Sequence, residues 1–89
     1  MTGKERAVFR KQANTLTPIF QIGKDNITET LVEAVDAALR KRELIKLSVL
    51  ETSELSAREA AELLAGATGA EVIQCIGRKL VLYRQKEEE

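Results

Sequence analysis

The sequence predicts an α/β domain of three helices packed on one mixed four-stranded sheet, in the order α-β-α-β-α-β-β. Three observations predict it. Helix-start signatures recur at Thr2, Thr28 and Ser56, each a hydroxyl residue with a glutamate close behind. Apolar runs of strand length stand at 19–22, 44–50, 72–76 and 80–83. The last two are separated only by Gly77-Arg78-Lys79, which suits a hairpin.

Thr2-Gly3-Lys4-Glu5 has the form of a capping box, in which hydroxyl and carboxylate each serve the other residue's amide. The helix it starts should run to about Asn14, with Phe9 and Ala13 on one face and Arg6 and Arg10 in a second row. Pro18 disfavours helix at Thr17, so the chain restarts extended. Residues 19–22 are short, apolar and β-branched, the pattern of a buried strand. Gly23-Lys24-Asp25-Asn26 ends that strand in a tight loop, and Gly23 is expected to need backbone freedom or a close approach there.

Thr28 caps the second helix. Glu29 in its first turn and Arg40, Lys41 and Arg42 in its last match the helix dipole. Leu31, Val35, Ala38 and Leu39 form its apolar stripe. In residues 44–50, Ile45, Leu47 and Val49 alternate with Lys46 and Ser48, the pattern of a half-buried strand. Ser56-Ala57-Arg58-Glu59 is a second capping box, whose helix carries Ala60, Leu63 and Leu64 and is expected to stop at Gly66. Thr68-Gly69 reads as a turn. Gly77-Arg78 suits a type II′ hairpin, with glycine at the first central position. Two strand–helix–strand crossovers are expected to give two parallel pairs.

At 89 residues one domain is the natural size, read as 1–86 with an acidic tail at 87–89. Hydrophobic residues at 44% and charged residues at 31% argue for a folded chain and against disorder. Aromatics are 3%, so Leu, Ile, Val and Ala must build the core. Cys75 is the only cysteine, which excludes an internal disulfide and suits a reducing cytoplasm. The charged N-terminus has no signal-peptide pattern, and no apolar run is long enough to cross a membrane.

The formal charge is zero, but its parts are separated. Residues 1–50 hold nine bases against six acids, 51–72 one base against five acids, and 73–86 four bases and no acid. Catalytic equipment is sparse. There is no histidine, the lone Cys75 has no base to activate it, and it stands within an apolar strand pattern. No zinc-spaced cluster and no glycine-rich nucleotide motif occurs. The sequence therefore points away from an enzyme, a metal, a cofactor or a small-molecule substrate.

Binding residues are easier to nominate. The loop Gly23, Lys24, Asp25 and Asn26 leaves a strand and enters a helix whose first amides point back at it, a geometry that suits a phosphate. A plain strand–helix turn fits the same four residues, and Asp25 would repel an anion. Arg78 and Lys79 at the hairpin tip, with Arg84 further along, form a second basic cluster. Arg6, Arg10 and Lys11 form a third. Tyr83 is available for base stacking or for half-buried packing. With aromatics scarce, contacts to backbone and shape are expected over base readout.

Several segments together resemble a known family. Lys4-Glu5-Arg6, Arg10-Lys11-Gln12-Ala13 and Leu16-Thr17-Pro18-Ile19-Phe20-Gln21-Ile22-Gly23-Lys24 resemble the opening of single-domain bacterial YhbY-type CRM proteins (chloroplast RNA splicing and ribosome maturation). Glu43-Leu44-Ile45-Lys46, Thr68-Gly69-Ala70 and the ending from Ile76-Gly77-Arg78-Lys79 to Leu80-Val81-Leu82-Tyr83-Arg84 continue the likeness in order. The resemblance implies a fold similar to the C-terminal domain of translation initiation factor three. It implies RNA binding, an association with precursors of the large ribosomal subunit, and a KH-like Gly-x-x-Gly loop mapping onto Gly23, Lys24, Asp25 and Asn26. The fourth position departs from that form. Asn26 can still reach the left-handed region, but its side chain would crowd a phosphate close to the loop. The resulting expectation is a cytoplasmic, monomeric, non-catalytic RNA-binding protein. The alternative is an interaction module whose acidic helix docks on a basic ribosomal protein.

Overall fold

Seven elements follow the predicted order in the computed structural model, which describes residues 2–86: α1 (Gly3–Ala13), β1 (Phe20–Ile22), α2 (Glu29–Arg42), β2 (Leu44–Val49), α3 (Ala57–Thr68), β3 (Glu71–Ile76) and β4 (Lys79–Tyr83). The acidic tail at 87–89 lies outside the described residues. The strands form one sheet in the order β1-β2-β4-β3. β1 runs parallel to β2, and β4 is antiparallel to both of its neighbours.

One of the two expected parallel pairs is absent. β4 inserts between β2 and β3, so β3 runs in the direction of β2 without pairing with it. The cause is local. Ile76 pairs with Lys79, leaving Gly77 and Arg78 as the whole connection, and a two-residue loop makes its strands neighbours. Gly77 has φ +60° and Arg78 does not share it, as a type II′ turn requires. Leu80, Val81 and Leu82 are all buried, so β4 suits a central position covered on both faces.

Alternation along the strands divides the apolar residues into two cores. Ile22, Ile45, Leu47, Val49, Leu80 and Leu82 meet Val35 and Leu39 of α2 and Ala57, Ala60, Ala61 and Leu64 of α3 on one face. Ile73 and Val81 meet Ala13 of α1 on the other, with Phe9, Leu44 and Tyr83 packed around them. Each fully buried Leu or Ile contributes about 1.5–3 kcal/mol relative to exposure.

Three local readings are corrected. At the start of α1, Thr2 accepts from the Glu5 amide at 3.1 Å, but the Glu5 carboxylate meets the Thr2 hydroxyl rather than its backbone, so only half of that capping box forms. The Ser56 box of α3 is complete. α3 continues through Gly66 to Thr68 and ends on Gly69 at φ +74°, because the left-handed cap falls there and the buried Thr68 hydroxyl donates back to the Leu64 carbonyl. Gly23 has no left-handed φ, and a Cβ there would meet Thr52 Oγ1 at 3.5 Å and Leu50 Cδ1 at 3.8 Å, ordinary contacts. The expected backbone requirement at Gly23 is therefore not present.

Candidate nucleic-acid interface

Strand direction decides which loops are neighbours. β1, β2 and β3 all run the same way, so the segments that follow them, 23–28, 50–56 and 77–78, gather at one end of the sheet. The Val49 amide donates to the Arg78 carbonyl at 2.7 Å and the Leu50 amide to the Ile22 carbonyl at 2.8 Å, which ties the three together. Lys24, Asp25, Arg78 and Lys79 are all exposed at this end. Among the described residues, Lys24, Arg78 and Lys79 make no ion pair. Lys24 of the first nominated cluster and Arg78 and Lys79 of the second thus share one end of the molecule, while Arg84 of the second lies past the far end of β4.

The loop itself is a turn closed by the Asn26 amide donating to the Gly23 carbonyl at 2.9 Å. Asn26 lies at φ 55°, as its position requires. Its side chain does not project toward a ligand. Its Oδ1 accepts from Ser53 Oγ at 2.7 Å and from the Glu54 amide at 3.1 Å, latching the loop after β1 to the loop after β2. The expected crowding of a phosphate is therefore removed, and Lys24 and Asp25 are left as the exposed tip. Sequence reasoning missed Ser53 and Glu54, which lie 27 and 28 residues away from Asn26 and carry no local signal. The α2 N-terminus begins only at Glu29, and Thr28 already accepts from the Leu31 amide at 3.1 Å. One of the amides expected to face a ligand is satisfied internally.

The remaining nominated bases are dispersed. Arg6 donates to the Val72 carbonyl at 2.6 Å and lies 3.8 Å from Glu71, while Arg10 reaches the Ile73 carbonyl at 3.5 Å. Both act on the edge strand β3 where the register shifts between Val72 and Gln74, a bulge that leaves carbonyls without ladder partners. Lys11 is exposed in the last turn of α1. Arg84 is turned inward, contrary to its nomination as a surface base. It donates to Asp36 Oδ1 at 2.6 Å, to the Thr68 carbonyl at 2.7 Å and to the Asp36 carbonyl at 3.0 Å, with its side chain 20% exposed. That hydrogen bond, with the charges of Arg84 and Arg40, holds the Asp36 carboxyl below its ordinary range against the opposing effect of burial.

Tyr83 takes the packing role. Its ring stacks on Phe9 with centroids 4.2 Å apart and planes at 28°. Burial, and the carboxylates of Glu43, Glu5 and Glu71, push its phenol up, so it stays neutral at pH 7. Burial likewise pushes the Cys75 thiol up, Glu62 adding and Arg58 opposing, which keeps it in the less nucleophilic form. Among the described residues no group of His, Cys, Asp and Glu converges to hold a metal ion, and no helix is long and apolar enough to cross a membrane.

The description of the CRS1 / YhbY (CRM) domain matches residues 1–84. The chain belongs to the CRM-domain family. A relative named "Probable RNA-binding protein YqeI" from Bacillus subtilis is 39% identical over 88 residues, covering 99% of this chain and 92% of the relative. One named "Probable RNA-binding protein MJ0652" from Methanocaldococcus jannaschii is 36% identical over 89 residues, covering 98% of this chain and 66% of the relative. Among solved structures, the solution structure of hypothetical protein SAV1595 from Staphylococcus aureus superposes with a TM-score of 0.82 at 42% identity, over 99% of this chain and 92% of that one. Within this CRM domain, Asn26 supplies both the left-handed turn after β1 and the latch to the loop after β2.

Proposed function

We propose that this protein is a non-catalytic RNA-binding factor that acts in assembly of the large ribosomal subunit by contacting ribosomal RNA precursor, as a monomer in the cytoplasm. The observation that carries the reading is the placement of Lys24, Arg78 and Lys79 at the same end of the sheet, exposed and without an ion pair among the described residues. Lysine and arginine held this way neutralise phosphates and release counterions, the main source of sequence-independent affinity. The RNA-binding names of relatives matched along nearly the whole chain support the same reading. Arg84 is left out of the proposed surface, because both terminal nitrogens of its guanidinium already donate to Asp36 and Thr68. Arg6 and Arg10 belong mainly to the edge of β3 and contribute less. Crosslinking in cells followed by sequencing of the bound RNA tests the proposal. Reads concentrated in large-subunit ribosomal RNA precursor are the expected result. Reads spread over messenger RNA, or confined to the small subunit, would remove the ribosomal assignment.

A further inference from the structure

Helix α1 covers only part of its face of the sheet. Leu44, Tyr83, Ile73 and Val81 lie under it with Ala13 and Phe9, and these strand residues mark the half away from Lys24. The registers place another row on the same face, nearer Lys24. Gln21 pairs with Ser48, Ser48 with Lys79 and Lys79 with Ile76, so one residue from each of the four strands stands in line. Their neighbours Ile22, Leu47, Val49 and Leu80 point into the core beneath α2 and α3, so alternation turns this row the other way. Gln21, Lys79 and Ile76 are exposed and Ser48 is half-buried. Ile76 is 65% exposed, more than the other large apolar residues on the surface of the described chain.

We propose that this row is a shelf for a single-stranded segment of RNA that continues from the Lys24 loop; the inference rests on the RNA-binding reading above. The side chains supply the needed chemistry in order across the sheet. Ile76 offers an apolar surface for the face of a base, Lys79 a charge for a phosphate, and Ser48 and Gln21 hydrogen-bonding groups for a 2′-hydroxyl or a base edge. The row itself holds no acid, and Lys46 on β2 and Arg10 in the groove beside Ile76 add positive charge, while Asp25 beside Lys24 is the exposed acid of the adjoining loop. Arg10 and Ile76 also line one groove of about 470 Å³ along β3, which extends the shelf over the sheet edge. The dimensions favour one strand over two. Four strands span roughly 14 Å, while the open row and the next one reach only about 7 Å along the strands. Beyond them α1 stands as a wall of roughly 10 Å, so a double helix cannot lie flat on the shelf.

The test uses the full chain and two fluorescein-labelled probes, a mixed-sequence single strand of about 12 nucleotides and an RNA duplex of about 16 base pairs. Ile76→Ser should weaken single-strand binding roughly fivefold and leave its salt slope unchanged, since an apolar contact releases no counterion. Gln21→Ala should weaken it in the same direction, and the duplex should respond less to both. Leu63→Ser serves as the control, because Leu63 is 53% exposed on α3 across the sheet. Both substituted shelf positions are exposed, so melting temperatures should be preserved. If Ile76→Ser and Gln21→Ala bind the single strand like wild type while Lys24→Ala does not, the shelf is empty and the RNA-binding reading stands. If Ile76→Ser changes only the mass seen by light scattering, the row is a contact between copies and the proposal is overturned. If the wild type binds neither probe, the shelf and the RNA-binding reading fail together.

Discussion

Asn26 stands where the resemblance read from the sequence implied a glycine, and the structure puts both its backbone and its side chain to use. The residue supplies a left-handed backbone at φ 55° and an acceptor for Ser53 and Glu54. Asn26→Gly should keep the turn but lose both hydrogen bonds, lowering stability by about 1–2 kcal/mol in urea denaturation. Asn26→Ala should lose about 1 kcal/mol more, because alanine resists the left-handed region. Equal stability of Asn26→Gly and wild type would mean the latch contributes nothing. Arg84 makes the parallel case at the far end of β4. Its sign was legible beside Lys86, but its direction was not, because Asp36 lies 48 residues away. The Asp36 pKa is depressed in the folded state, so the pair's stabilisation is present above the ordinary aspartate value of about 3.9 and is lost as pH falls through the folded value. Melting of wild type should therefore drop more steeply below about pH 5 than melting of Asp36→Asn. Parallel curves for the two proteins would remove Asp36 from the acid response.

The elements were legible wherever one residue type had one local use. Alternation in Ile45, Leu47 and Val49 gave β2 its buried face, and the Ser56 box gave α3 its start. The end of α3 was ambiguous, because Gly66 and Gly69 both stop helices in sequence and only the backbone distinguishes them. Gly66 is exposed within the helix, with no atom within 4 Å of an added Cβ, whereas Gly69 has φ +74°. Gly66→Ala should raise stability by about 0.5–1 kcal/mol, or several degrees in melting temperature. Gly69→Ala should lower stability by about 1 kcal/mol, since alanine there is strained. The opposite pair of signs would return the helix end to Gly66. At the edge of the sheet, the bulge in β3 is invisible in sequence, and so was the use of Arg6 and Arg10 on its carbonyls. Local spacing put those two arginines on one helix face without saying what the face meets.

At the scale of the molecule, the order of elements was readable but the neighbour of β3 was not. A crossover rule treats each strand–helix–strand unit alone, whereas the hairpin at Gly77-Arg78 imposes β4 as the neighbour of β3 and displaces the second parallel pair. That displacement bears on the proposed interface. It carries Lys79 to the middle of the sheet, opposite Ser48 of β2, at the end where Lys24 emerges. In sequence these lysines are far apart, and only the fold brings them to one end of the sheet. The same topology sends Lys86 past the end of β4, where its amide meets Glu43 Oε1 at 3.1 Å, at the opposite end of the sheet. The account therefore turns on which lysines feel the RNA. The most direct measurement is the slope of log K against log salt for RNA binding by wild type, Lys24→Ala, Lys79→Ala, the double variant and Lys86→Ala. Each of the first two substitutions should flatten the slope by about 0.7 on single-stranded RNA and the double variant by about 1.4, with Lys86→Ala unchanged. Wild-type slopes in Lys24→Ala and Lys79→Ala, or an equal loss in Lys86→Ala, would contradict an interface at this end of the sheet.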